Sequence, residues 1–140
     1  MRKIYLSFFS ILILSNCVAP PEYSDGLLEN IPAIVDESDY FSLSILGDQY
    51  TEDHEWELSL STTEFDVILQ TLAVKEFNSS SDSTYLSIRG TNGDTILTAL
   101  IMSDLNWSSE DSVSYIGAPE NVIFSGKNFT GRLEYQILKK

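Results

Sequence analysis

Apolar and polar residues alternate with a period of two along most of the chain after Tyr40. That spacing sets one face of an extended strand against a core and the other in water. In YFSLSILG, Phe41, Leu43 and Ile45 alternate with Ser42 and Ser44. In EWELSLS, Trp56, Leu58 and Leu60 alternate with Glu55, Glu57, Ser59 and Ser61, and in GRLEYQILKK, Leu133, Tyr135 and Ile137 alternate with Arg132, Glu134 and Gln136. Each segment predicts a strand with one wet face. TYLSIRGTNGDTILTALIM places Asn92-Gly93 between two apolar runs, which predicts a hairpin closed by a two-residue type I′ turn with positive φ at both positions. Its second arm is apolar on both faces, with Ile96, Leu100 and Met102 on one and Leu97, Ala99 and Ile101 on the other. Such an arm is expected to be central or covered. SVSYIG and NVIFSG predict two further short strands around Pro119.

STTEFDVILQTLAVKEFN, residues 61–78, carries two patterns at once. Ser61 and Glu64 have capping-box spacing, and Phe65, Ile68, Leu69, Leu72 and Ala73 recur at helical intervals. Thr62, Thr63, Val67, Ile68, Thr71 and Val74 are branched at Cβ and favour extended chain. Strand is the favoured reading beside strand neighbours. The total is then about eight short strands in residues 40–140, an all-β antiparallel sandwich of jelly-roll or immunoglobulin-like type.

The first residues follow another pattern. Arg2 and Lys3 precede an apolar segment, Ile4 to Leu14, that is too short to span a bilayer. Residues 1–16 therefore read as a secretion signal. Residues 17–39 hold three of the chain's four prolines, Pro20, Pro21 and Pro32, and the turn signal Asp25-Gly26. They read as an extended tether, parts of which, around Leu27, Leu28, Ile31, Ile34 and Val35, are apolar enough to dock on the domain.

Composition narrows the function classes. The chain has 8 basic and 21 acidic residues and a formal charge of −13, which loss of Arg2 and Lys3 with the leader would make more negative. A nucleic-acid partner is disfavoured, because phosphate binding draws on Lys and Arg. A single cysteine leaves no disulfide within the chain, so stability must come from apolar burial, for which 43% hydrophobic residues suffice.

LSNC, Leu14 to Cys17, resembles the lipobox of bacterial lipoproteins, with Asn16 where Gly, Ala or Ser is usual. The resemblance implies that Cys17 is acylated and becomes the mature N-terminus. A free thiol or plain secretion are the alternatives. With Val18 rather than aspartate after the cysteine, it further implies the outer membrane, facing the periplasm or the surface. Farther along, WELSLSTTEFDVILQTL, TNGDTIL and SVSYIGAPENVIFSGKNFTGRLEYQI are similar in order to the bacterial pre-peptidase C-terminal domain, a small jelly-roll-like sandwich. There Asp66 would match the family's strand aspartate and Ser108 to Asp111 its acidic loop. The implied role is accessory adhesion or targeting, not catalysis.

Little else in the chain carries chemistry. His54, the only histidine, stands among Glu52, Asp53 and Glu55 and reads as an ordinary residue at a strand entrance. No nucleophile-elbow motif accompanies the serines. Asp36, Glu37 and Asp39, or Asp104, Glu110 and Asp111, are candidate calcium ligands, though neither set has EF-hand spacing. Solvated acidic loops are the simpler reading. Trp56 lies on an apolar strand face and is expected in the core. Trp107, in the polar LNWSSED, is the candidate exposed anchor. No cofactor and no catalytic residue is expected. The sequence favours a lipid-anchored envelope module that binds a protein, glycan or peptide. A small carboxylate-dependent hydrolase and a calcium-dependent adhesion or targeting module are the alternatives.

Overall fold

A computed structural model describes residues 26–80 and 83–140. Cys17, the lipobox and the leader lie outside the described residues. The described residues form nine strands: β1 (Ala33–Asp36), β2 (Tyr40–Tyr50), β3 (Asp53–Glu57), β4 (Val67–Ser79), β5 (Tyr85–Gly90), β6 (Thr95–Leu100), β7 (Leu105–Ser112), β8 (Pro119–Ser125) and β9 (Phe129–Lys139). A one-turn helix, α1 (Val113–Ile116), separates β7 from β8.

The strands make two antiparallel sheets, ordered β1-β2-β9-β4-β7 and β3-β8-β5-β6. Within them β2 pairs β9, β3 pairs β8, β4 pairs β7 and β5 pairs β6. These are nested pairs, as if one long hairpin with its tip between β5 and β6 had been rolled into two layers. That connectivity is a jelly roll, not the immunoglobulin arrangement.

The inward residues are those the alternation marks. Phe41, Leu43 and Ile45 of β2 and Leu133, Tyr135 and Ile137 of β9 meet Leu86 and Ile88 of β5 and Val122 and Phe124 of β8 across the core, all fully buried. Register keeps them in rows: Leu43 stands opposite Tyr135, and Tyr135 opposite Leu72. Residues 67–79 are strand, as their Cβ branching favours. Ser61 and Glu64 cap no helix; residues 58–66 are an irregular crossing followed by a turn.

Several elements differ from the sequence expectation. LNWSSED is not a loop. It is most of β7, paired residue for residue with β4 from Leu105↔Val74 to Ser112↔Val67; long-range pairing overrides the turn preference of Asn, Ser and Asp. SVSYIG is not a strand. The chain there passes from one sheet to the other, and α1 takes up the reversal, closed by the bond from Gly117 N to Val113 O (2.8 Å) with Gly117 at φ +86°.

The strand in EWELSLS stops at Glu57, because Ser59 turns aside to donate its N–H and hydroxyl to Asp36 (2.9 and 2.8 Å). The β5–β6 hairpin is present, but its loop has three residues rather than two. Gly93 N donates to Gly90 O and Gly90 N to Asp94 O, both at 2.9 Å. Within this loop only Gly93 has positive φ, +77°. A turn followed by a left-handed glycine is the other common hairpin closure, and it carries a bulge. That bulge is Gly93-Asp94 opposite Gly90, and a second one follows, where pairing jumps from Ile88↔Leu97 to Arg89↔Thr95 and leaves Ile96 as the extra residue. Finally, β6 is an edge strand and not a central one.

Before Tyr40, β1 adds to the edge of the larger sheet. The turn ahead of it is clasped to the end of β2: Asn30 N donates to Leu46 O (2.8 Å), and the Asn30 side chain exchanges two bonds with the backbone of Asp48 (2.8 and 3.0 Å). The described chain thus joins the sandwich at the end that carries the β2–β3 turn.

Candidate functional site

The opposite end of the sandwich collects the 58–66 crossing, the β5–β6 loop, α1 and the end of β9. Two of these are fastened directly: Val113 N donates to Asp66 O (3.0 Å). The turn at Asp66 is built by its own side chain, whose carboxylate accepts Thr63 N–H (2.6 Å) and the Thr63 hydroxyl (3.1 Å). The backbone bond from Thr63, more than the hydroxyl or Lys139, holds the Asp66 carboxyl below its ordinary value. Nothing covers the two aromatic residues beside this joint. Phe65 and Tyr115 are each 86% exposed, more than any other large apolar or aromatic residue among those described. A single exposed ring is commonplace; two on adjoining, hydrogen-bonded turns are less so.

Neither ring was singled out from sequence. Phe65 falls on the face a helix would have buried, and Tyr115 lies in a segment that reads as a strand. Only the departures from both patterns set them free. A signal was present in Asp66, which follows Phe65 and anchors the turn.

Trp107 lies in β7 on the inward side of the sheet, opposite Leu72, and is half-buried against the core. It is a seam residue at an edge, not a loop anchor. Trp56 likewise packs half-buried against the core from β3. Its ring stacks on His54 (centroids 5.2 Å apart, planes 10° from parallel), and His54 stacks on Tyr50 (6.0 Å, 11°). His54 Nε2 lies 2.6 Å from the Tyr50 hydroxyl and 3.1 Å from Glu52 Oε2. Burial first, and Glu52 second, push the Tyr50 phenol up to about 12. His54 is therefore the middle of an aromatic ladder that closes one seam of the sandwich, a role that alternation in DHEWE foreshadows but Tyr50 completes.

The acidic residues are spread out and used singly. Asp104 Oδ1 accepts Phe77 N–H (2.8 Å) beside a shallow hollow of about 380 Å³ between β4 and β7. Glu110 pairs with Lys140 (2.7 Å) on the outer face, while Asp111 is on the inward side of the same strand. Asp36 is taken by Ser59. Asp53 holds Ser125 and Lys127, and those bonds, the hydroxyl's first, lower its carboxyl below the ordinary value. Glu55 accepts from Asn121 (2.7 Å). Among the described residues no three His, Cys, Asp or Glu side chains come together as metal ligands, so neither acidic set converges. Among them, too, no helix is long and apolar enough to cross a membrane.

In comparison with known proteins, the chain matches no family model and no curated sequence.

Proposed function

We propose that this chain is a lipid-anchored, non-catalytic binding module of a bacterial cell envelope, held to the outer membrane through Cys17 and engaging an envelope protein, glycan or peptide with the far end of its jelly roll. The observation that carries the binding half is the exposed pair Phe65 and Tyr115 on joined turns, since aromatic side chains supply much of the energy of small contact surfaces. The polarity of the fold supports it. The chain joins the sandwich at one end and the rings stand at the other, separated by the length of β2, eleven residues or roughly 36 Å at about 3.3 Å each. The anchor reading rests on the basic start, the apolar run and LSNC.

The two halves are tested separately on the full chain in intact envelopes. Phe65→Ala with Tyr115→Ala should abolish the crosslinked adduct formed by the parent chain while leaving membrane association and folding unchanged. An unchanged adduct pattern refutes the binding surface. Cys17→Ser should leave unprocessed precursor without lipid. Mass spectrometry that finds an unmodified Cys17 within a longer mature chain refutes the anchor.

A further inference from the structure

An edge strand presents unpaired N–H and C=O groups and is a template for another strand unless charge, proline or a cover protects it. Among the described residues four strands are edges: β1 and β7 of one sheet, β3 and β6 of the other. Three carry acidic side chains. β3 has Asp53, Glu55 and Glu57, all exposed; β7 has Glu110 and Asp111; β1 ends in Asp36. β6, Thr95-Ile-Leu-Thr-Ala-Leu100, has no charged residue and no proline, and its one bulge, at Ile96, lies at the hairpin end and leaves Leu97 to Leu100 regular. Beside its free edge, Leu100 is 57% and Met102 61% exposed. This is the segment whose sequence, apolar on both faces, calls for cover.

The backbone is in phase for pairing. Ile101 N donates inward to Thr84 O (3.0 Å). By the alternation of an antiparallel ladder, the N–H and C=O of Leu100 and Thr98 therefore point away from β5. Their side chains lie on the outer face, where Thr98 Oγ1 meets Ser87 Oγ at 3.1 Å.

We propose that β6 is a dimerisation edge, covered by β6 of a second copy of this chain in an antiparallel pair centred on Thr98. A two-fold axis there sets Thr98 against Thr98, Leu97 against Ala99 and Ile96 against Leu100 of the second copy, and joins two four-stranded sheets into one. Charge permits self-pairing at this edge and opposes it at β3. In a chain of −13, self-pairing through β3 would oppose rows of carboxylates, and like charges directly opposite destabilise a sheet. In β6 the nearest acid, Asp94, falls opposite Met102 and not opposite another carboxylate. A two-fold interface must be self-complementary, and this uncharged strand is.

The test is disulfide trapping of the full chain in intact envelopes under mild oxidant, with the parent chain, whose only cysteine is Cys17, as background. Thr98→Cys should give a covalent homodimer that the parent lacks. Glu55→Cys, equally placed on the opposite edge of the same sheet, should not. Adding Leu100→Lys to Thr98→Cys should abolish the dimer while the domain stays folded by circular dichroism, since Leu100 is exposed in the single chain. Equal trapping at Glu55, no trapping at Thr98, or a Thr98 adduct with a different protein in place of the homodimer would each overturn the proposal.

Discussion

Tyr135 carries its phenol into the centre of the core, where its hydroxyl donates to Gln70 Oε1 at 2.6 Å. Both residues are buried, so neither can exchange this bond for water. Burial pushes the Tyr135 phenol well above its ordinary range, which keeps it a neutral donor. A buried acceptor deprived of its donor costs about 1–3 kcal/mol. Tyr135→Phe should therefore destabilise the domain by about that amount in equilibrium unfolding, although it removes only one oxygen. The pairing makes a second expectation available from the same cycle. Gln70→Leu combined with Tyr135→Phe should recover much of the loss, because an apolar pair leaves nothing unsatisfied. Failure of the double variant to recover would mean that the hydrogen bond is not what the single variant loses. Alternation placed Tyr135 indoors; nothing in it named Gln70, which sits 65 residues away.

The β5–β6 hairpin shows how one element can be right in kind and different in detail. Asn92-Gly93 marks the reversal, yet only Gly93 takes positive φ. A Cβ built on Gly93 would meet nothing within 4 Å, so any cost of replacing it is backbone strain alone. Gly93→Val forces a branched side chain into the left-handed region and should destabilise by more than about 1 kcal/mol. Gly93→Asn, a residue that tolerates this conformation, should cost clearly less. Thermal melts of the two variants check the difference, and equal melting temperatures would reject strain as the cause. The same element bears the unprotected edge. Its two-faced apolar pattern was legible along the chain, but whether a neighbour lay beyond it was not. β7 is the converse case: Asn, Ser, Glu and Asp hide a strand that β4 recruits.

At the scale of the molecule, charge and burial set the pH range over which the sandwich is stable. The carboxyls of Asp53 and Asp66 are held below their ordinary 3.8, the first by Ser125 and Lys127, the second by Thr63. A depressed folded value means that their contribution is present above 3.8 and is lost as pH falls through the folded values. Tyr50, raised from 10.0 to about 12, acts in the other direction. Its contribution is complete below pH 10 and is lost as pH rises from there through about 12. Tyr135, likewise raised by burial, adds to the alkaline loss. Stability should therefore hold across the neutral range and fall on both sides. Melting temperatures measured across pH check this, and Tyr50→Phe should flatten the first part of the alkaline decline. A curve still falling equally from pH 10 in that variant would remove Tyr50 from the explanation.

By itself the sequence determined which residues of its alternating segments face inward, that the domain is built of strands, and where the sharpest reversal lies. These are local properties. Successive side chains of an extended backbone point to opposite sides whatever lies beyond them. Tertiary structure alone decided which strands are neighbours and which are edges, because adjacency comes from closing long loops and burying two apolar faces together. β2 finds β9 across most of the chain, and β4 finds β9 across about half of it. The same closure stacks His54 between Tyr50 and Trp56 and scatters Asp104, Glu110 and Asp111. It also fastens Asp66 to Val113, bringing the turns of Phe65 and Tyr115 together at one end. Alternation encodes the face of each residue, and no periodicity encodes the partner across a gap that only a folded core can close.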